Sequence, residues 1–101
     1  MANPAVELHL RLPIIIKLTK QAGGLKLKEE IREHETLGEL LSKLEAQNPA
    51  VFQHVYNRET GEIHPPVVTV INDVTVRRAE AINHQLVDGD KITWLMMYAG
   101  G

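Results

Sequence analysis

The sequence predicts an α+β fold in which a mixed sheet of four to five strands is covered by one main helix. Three patterns support this prediction. Alternating apolar residues near the start indicate a half-buried strand, a leucine stripe indicates one helix, and an apolar run at the end indicates a buried strand. The 101 residues suit one compact domain, spanning 1–101, and are too few for two.

The first strand is predicted over residues 6–12, where apolar and polar residues alternate. Pro13 is expected to end it, because proline cannot donate to a sheet ladder. The alternation continues formally to Leu18, so a longer, bent strand is an alternative. We favour a loop over 13–24, closed as a turn by Gly23-Gly24.

A second strand over 25–33, with Leu25, Leu27 and Ile31 inward, is expected to pair with the first as a hairpin with a long connection. The main helix follows. Thr36 is its predicted N-cap, and Glu39 three residues later completes a capping box. The helix is predicted over 37–46, with a short helical turn starting at Pro49. Its apolar stripe has helical spacing and consists of Leu37, Leu40, Leu41 and Leu44.

A polar connector is predicted over 57–66, followed by a strand over 67–71, a tight turn at 72–73 and a short strand over 74–76. A polar bridge over 77–85 and a second turn at 88–90 come next. The final strand runs from Ile92 to Tyr98 and is apolar on both faces. Such a strand belongs at the centre of a sheet, and we place it parallel to the first. This element order is that of the β-grasp, or ubiquitin-like, fold.

Composition excludes several functions. The formal net charge of -2 argues against bulk nucleic-acid binding, which needs a strong positive field. The chain has no cysteine, so disulfides, thiolate metal sites and a cysteine nucleophile are excluded. The first residues lack the features of a signal peptide, and no apolar run reaches membrane-spanning length. We therefore expect a cytoplasmic protein without a membrane partner.

Two glycines, Gly100 and Gly101, follow the final strand. The ordinary interpretation is that chain ends fray and that small residues are common there. The chemical interpretation is that the terminal carboxylate is the reacting group and enters a narrow nucleotide site of another protein. Glycine allows such close backbone approach, whereas a side chain would obstruct it. The residues alone leave both interpretations open.

Four stretches occur together in an order typical of a known family: 36–41, 70–73, 86–92 and 99–101. They resemble the ubiquitin-like sulfur carriers, which include the small subunit of molybdopterin synthase and the thiamine-biosynthesis sulfur carrier. The opening, Leu12-Pro13 with Leu18-Thr19 and Gly23-Gly24, is most similar to the branch that supplies sulfur for cysteine synthesis. The chain departs from the family pattern at 77–84 and 96–98, which leaves the particular partner open.

The resemblance implies a mechanism in which this chain is a carrier and not an enzyme. A partner that resembles the ubiquitin-activating enzymes would use ATP to adenylate the carboxylate of Gly101. A sulfur donor would then displace AMP and leave a thiocarboxylate, which a downstream synthase accepts. Ala99 and Gly100 would thread into the partner, and the chain itself would bind no cofactor.

Partner docking is predicted at Met97 and Tyr98, because methionine and aromatic residues are favoured at interface centres. Arg77 and Arg78 could contact an acidic groove of the partner, although a solvated loop is the ordinary interpretation for them. No metal site is expected, because the five histidines lack ligand spacing.

Two other functions stay open on the sequence. One is a ubiquitin-like modifier that is joined to target proteins through Gly101. The other is a β-grasp interaction module with an inert tail. The choice among the molybdopterin, thiamine, cysteine and tRNA-thiolation pathways also stays open.

Overall fold

The computed structural model describes residues 11–20 and 23–96. Within them a five-stranded sheet has the order β2-β1-β7-β5-β6, and β3 and β4 form a separate small ribbon. β7 lies at the centre, parallel to β1 and antiparallel to β5, as the sequence predicts. The strands are β1 Arg11–Lys20, β2 Gly23–Arg32, β3 Tyr56–Asn57, β4 Glu62–Ile63, β5 Val67–Ile71, β6 Val74–Val76 and β7 Lys91–Met96, and the helices are α1 Leu37–Gln47, α2 Pro49–Phe52 and α3 Arg78–Ala81.

β1 continues through Pro13 to Lys20. The predicted loop over 13–24 is therefore wrong, and the longer-strand alternative is right for the described part of this segment. Residues 6–10 of the predicted strand lie outside the described residues. Three alternate side chains of β1 fill the core, each no more than 2% exposed: Ile14, Ile16 and Leu18.

Pro13 is tolerated because its backbone faces away from β2. Its carbonyl accepts a hydrogen bond from the Gly89 N–H at 2.9 Å, and the Ile15 N–H donates to the Asp90 carbonyl at 3.0 Å. Backbone groups of alternate strand residues point to opposite sides, so Pro13 and Ile15 both face the β7 side. Pairing with β7 starts only at Ile15, so proline removes no ladder donor there.

β2 begins at Gly23 and pairs with β1 over its full length. Gly24 is thus a strand residue opposite Thr19, and the predicted Gly23-Gly24 turn is wrong. The predicted hairpin is confirmed, but only residues 21–22 separate the two strands, so the predicted long connection is wrong. A Cβ on Gly24 would lie 2.6 Å from the Leu18 carbonyl oxygen, which explains the glycine. Of the predicted inward residues, Ile31 is buried, Leu27 is half-buried and Leu25 is 37% exposed.

The main helix and its capping box are confirmed. The Glu39 N–H donates to Thr36 Oγ1 at 3.2 Å, and the Thr36 N–H donates to Glu39 Oε1 at 2.9 Å. The leucine stripe is buried against one face of the sheet, and Phe52 of α2 extends the same core. At Gly38, α1 packs closely against Ile82. A Cβ at this position would lie 3.1 Å from the Ile82 carbonyl oxygen, so glycine permits the close approach.

The Thr36→Ala variant should lower the free energy of unfolding by about 1 kcal/mol, since it removes one side of the capping box. For a domain of this size the melting temperature should fall by about 4–8 °C. Thr36→Ser keeps the hydroxyl acceptor and is the matched control. Equal melting temperatures for the Ala variant and the control would show that the box contributes nothing to stability.

The rest of the chain largely follows the prediction. Asn72 and Asp73 both have positive φ, 50° and 70°, and form the tight turn between β5 and β6. The predicted connector 57–66 overlaps the β3–β4 ribbon, which begins at Tyr56, and the predicted bridge 77–85 contains α3. Within the described residues, no helix has the length and apolar character needed to cross a membrane.

The two faces of β7 differ in burial, although the sequence places apolar residues on both. Ile92, Trp94 and Met96 are buried there. Thr93 and Leu95, on the opposite face, are half-buried. No second layer covers that face within residues 11–20 and 23–96, since the helices pack on the core side.

Candidate functional site

The site predicted from the sequence lies where β7 leads into residues 97–101. Trp94 is fully buried, paired with Leu18 on one side and Thr69 on the other. Its ring meets that of Phe52 edge to face, with centroids 6.3 Å apart and planes at 83°. Met96, the last described residue of the strand, is 6% exposed. The strand is therefore anchored in the core up to Met96.

The expectation that Trp94 and Met96 fill the core is confirmed. The other predicted functional residues at this end lie outside the described residues, and their roles stay predictions. They are Met97, Tyr98, Ala99, Gly100 and Gly101.

The opposite end of β7 is fixed by the buried carboxylate of Asp90, which is 3% exposed. Its Oδ1 accepts from Asn72 Nδ2 at 2.7 Å, and its Oδ2 accepts from the Val87 N–H at 3.0 Å. His84 Nε2 lies 3.1 Å from the same Oδ2. These bonds join the β5–β6 turn, the segment after α3 and the start of β7.

Asn72 completes this junction from its own backbone and side chain. Its N–H donates to the Lys91 carbonyl at 2.9 Å, and its Oδ1 accepts from the Lys91 N–H at 2.9 Å. The first residue of β7 is thus bonded twice to the β5–β6 turn. Both ends of the strand that leads to residues 97–101 are therefore fixed.

The surroundings of Asp90 shift its acidity. Burial by itself raises the pKa of this carboxyl group, but the hydrogen bonds from Val87, Asn72 and His84 outweigh burial and hold the pKa below its usual value. Asp90 is therefore ionised at neutral pH. We interpret it as a structural anion that fixes the start of β7.

Arg77 and Arg78 are adjacent in sequence but have different surroundings. Arg77 directly follows Val76, the last residue of β6. Thr69 of β5 pairs with Val76 on one side and with Trp94 of β7 on the other, so Val76 is level with Trp94. Arg77 is therefore near the end of the sheet where β7 finishes. The Arg78 guanidinium donates to the Ile63 carbonyl at 3.3 Å and holds α3 against the β3–β4 ribbon.

Sequence reasoning missed Asp90 as an organising residue. The stretch 88–90 is recognisable as a turn, and Val87 is a local partner of Asp90, but His84 lies 6 residues away along the chain and Asn72 lies 18 residues away. In the part of the chain that the structure describes, no three His, Asp or Glu side chains are grouped to hold a metal ion.

The fold and this site define a ubiquitin-like protein whose central strand is held in the core as far as Met96. The chain belongs to the ThiS family, whose model matches residues 15–101. The resemblance to ubiquitin-like sulfur carriers is thereby confirmed, whereas the closer similarity to the cysteine-synthesis branch stays a prediction. No curated protein sequence matches the chain.

Solved structures confirm the β-grasp fold. The Haloferax volcanii HVO 2177 protein is 21% identical, with a TM-score of 0.73 over 90% of this chain and 88% of that one. SAMP1 from Haloferax volcanii is 19% identical, with a TM-score of 0.69 over 88% of this chain and 99% of that one. The small archaeal modifier protein 1 of Methanosarcina acetivorans is 21% identical, with a TM-score of 0.63 over 91% and 99%.

Proposed function

We propose that this protein is a sulfur carrier whose Gly101 carboxylate is adenylated by a partner enzyme and converted to a thiocarboxylate. The sulfur then serves cofactor or cysteine biosynthesis in the cytoplasm. The observation that carries the proposal is the family match, which extends through Gly101. Small ubiquitin-like proteins of this family are generally non-catalytic carriers that work with adenylating enzymes.

The chemistry assigns each group one task. A carboxylate is a poor electrophile, so attack of its oxygen on the α-phosphorus of ATP, with loss of pyrophosphate, creates an acyl-adenylate with a good leaving group. A sulfur nucleophile then attacks the acyl carbon, and AMP departs. The partner holds ATP and the catalytic residues, whereas this chain contributes the reacting carboxylate of Gly101.

The rigid strand and the small tail residues suit different parts of this process. β7 is held in the core through Trp94 and Met96, so the partner can dock on an ordered surface. Gly100 and Ala99 then pass through a narrow channel, where large side chains would collide. For docking contacts we propose Met97 and Tyr98 beside the tail.

Arg77 and Arg78 are the remaining docking candidates. Arg77 is exposed and lies near the end of the sheet where β7 finishes, which supports a contact with an acidic groove of the partner. Arg78 is exposed as well, although one of its N–H groups is used by the Ile63 carbonyl.

The intact mass of the protein purified from its own cells tests the proposal. We expect a fraction heavier by the exchange of one oxygen for one sulfur, which fragmentation should locate at Gly101. The same spectrum shows whether Gly101 is the last residue of the mature chain. An ordinary carboxylate on every molecule, even under sulfur limitation, would contradict the carrier function.

The second candidate function is that of a protein modifier joined to lysines of targets through Gly101. It begins with the same adenylation, and the name of the Methanosarcina acetivorans structure, small archaeal modifier protein 1, is the observation that favours it. An isopeptide-linked ladder on a blot, lost when Gly101 is deleted, would support this candidate. The absence of any conjugate in cells that contain the thiocarboxylate would exclude it under those conditions.

A further inference from the structure

Part of the outer edge of β2 has no backbone partner among the described residues. β2 lies at the end of the strand order, with β1 on its inner side only. The Arg32 N–H donates to Glu35 Oε1 at 2.8 Å, and Lys43 Nζ approaches the Glu30 carbonyl at 3.5 Å. Even-numbered residues of β2 therefore direct their backbone outward, because backbone direction alternates along a strand.

This outward edge divides into two parts. Near Glu30 and Arg32 it is covered by side chains of the chain itself. At Gly24, Lys26 and Lys28 no described residue bonds to the outward N–H and C=O groups. Three alternate residues thus form a free edge, which is the backbone template that an added strand requires.

The two sides of this free edge differ in chemistry. On the core side, Leu25 is 37% exposed and Leu27 is half-buried. On the outer side, Lys26 lies opposite Lys17 of β1, and Lys28 follows two residues later. We call Lys17, Lys26 and Lys28 the basic row. Within the described residues, none of the three forms a salt bridge.

An open groove of 610 Å³ lies beside Lys28, the last residue of this free edge. Its lining carries both signs of charge and consists of Arg11, Pro13, Lys28, Glu29, Glu30, Lys43 and Gln47. A strand bound at an edge points successive side chains to opposite faces of the sheet. The groove therefore offers space for side chains at the Lys28 end of such a strand.

We propose that the free edge of β2 binds an extended acidic segment of a partner protein as an additional strand. Its acidic residues face the basic row, and its alternate, apolar residues face Leu25 and Leu27. Main-chain hydrogen bonds supply affinity, and the lysines select the charge of the segment. The partner is thus a protein with an exposed stretch in which apolar and acidic residues alternate.

A second copy of this chain fits the edge less well. Two β2 strands paired at this segment would bring the lysines of one copy against those of the other, and like charges directly opposite destabilise a sheet. Lysines on edge strands also discourage unspecific edge-to-edge pairing. The basic row therefore disfavours self-association while it attracts an acidic strand.

One strand, β1, separates the proposed edge from β7. Gly24 pairs with Thr19, which pairs with Leu95, so the free edge begins at the same end of the sheet as Met96. The inference does not rest on the proposed function, and it would stand if Gly101 proved chemically inert.

A titration followed by backbone amide NMR tests the proposal. The probe is a short capped peptide of alternating valine and aspartate, and its matched control has asparagine for each aspartate. We expect the aspartate peptide to shift the amide signals of Gly24, Lys26 and Lys28 and to slow their hydrogen exchange. The asparagine peptide should bind at least about threefold more weakly.

Substitutions on the protein separate charge from folding. Lys26→Gln and Lys28→Gln should each weaken binding of the aspartate peptide about three- to fivefold, and added salt should weaken it further. Lys91→Gln is the matched control, because Lys91 flanks Ile15 on β7 as Lys28 does on β2. A well-dispersed amide spectrum of each variant shows that it is folded.

Three results would overturn the proposal. The first is equal binding of the aspartate and asparagine peptides, or no binding of either. The second is a set of shifted amides that lies away from β2. The third is concentration-dependent protection of Lys26 and Lys28 in the protein alone, which would make a second copy the occupant.

Discussion

Deletion of Gly101 is expected to abolish thiocarboxylate formation while the fold stays intact. The new terminal carboxylate would end one residue earlier, about 3.3–3.6 Å short of its position in the partner's nucleotide site. A displacement of about 1 Å at a reacting centre can cost about 10²-fold in rate, so no product should be detected. The measurement is the intact mass after incubation with the adenylating partner, ATP and a sulfur donor.

Two companion variants sharpen this experiment. Gly101→Ala keeps the carboxylate in place but adds a methyl group, so it should retain part of the activity. Val74→Ala changes a side chain that is 61% exposed on the far edge strand β6, and it should react like the wild type. Thermal unfolding of all variants should be unchanged, since the core residues described above are untouched.

The result also separates the three functions. Loss of the thiocarboxylate together with loss of biological activity supports the carrier. Loss of protein conjugates instead supports the modifier. Full activity of the chain without Gly100 and Gly101 would mean that the tail is inert and that the protein acts through its folded surface.

Local patterns made part of the fold predictable from the sequence. The capping box of α1 involves Thr36 and Glu39, three residues apart, and the leucine stripe follows from helical spacing. The Asn72-Asp73 turn depends on two adjacent residues that tolerate positive φ. In each case the sequence contains both partners of the interaction within one turn, so no knowledge of the tertiary structure is needed.

The course of β1 could not be predicted in the same way. Whether a proline ends a strand depends on which neighbour its backbone faces, and that depends on the register. Here Pro13 faces the segment before β7, where Gly89 donates to its carbonyl and no donor from the proline is needed. The half-buried outer face of β7 is a similar case, because sequence alone does not show which face of a sheet the helices cover.

For the candidate site, the sequence indicated the reacting group but not the hydrogen bonds that fix the strand leading to it. Glycine at 100 and 101 and the resemblance to sulfur carriers pointed to the carboxylate of Gly101. The bond from the Val87 N–H to Asp90 is local, whereas Asn72 and His84 reach Asp90 from other segments, and these two contacts appear only when the chain is folded.

Asp90→Ala is expected to lower the free energy of unfolding by about 3 kcal/mol. The substitution removes the carboxylate that accepts hydrogen bonds from the Val87 N–H and from Asn72 Nδ2. Asp90 itself is only 3% exposed. Hydrogen bonds to a charged group contribute about 1.5–3 kcal/mol, and both of these bonds are partly buried. Urea unfolding, followed by the fluorescence of Trp94, measures the change.

Asp88→Asn is the matched control, because Asp88 lies in the same turn and is exposed. It should leave the free energy of unfolding within about 0.5 kcal/mol of the wild type. Asp90→Asn keeps the shape but not the charge, so it should fall between the control and Asp90→Ala. If Asp90→Ala unfolded at the same urea concentration as the control, the hydrogen-bonded carboxylate would not stabilise the start of β7.

The pH dependence of the Asp90 effect follows from its lowered pKa. Because the folded pKa lies below the unfolded value of 3.8, the carboxylate stabilises the fold above that pH. This stabilisation is lost as the pH falls through the folded pKa, where Asp90 takes up a proton in the folded state also. The difference in unfolding free energy between wild type and Asp90→Asn should therefore be constant near neutral pH and shrink below about pH 4. A difference that instead grew with acid would mean that the folded pKa is raised, and burial would then outweigh the hydrogen bonds from Val87, Asn72 and His84.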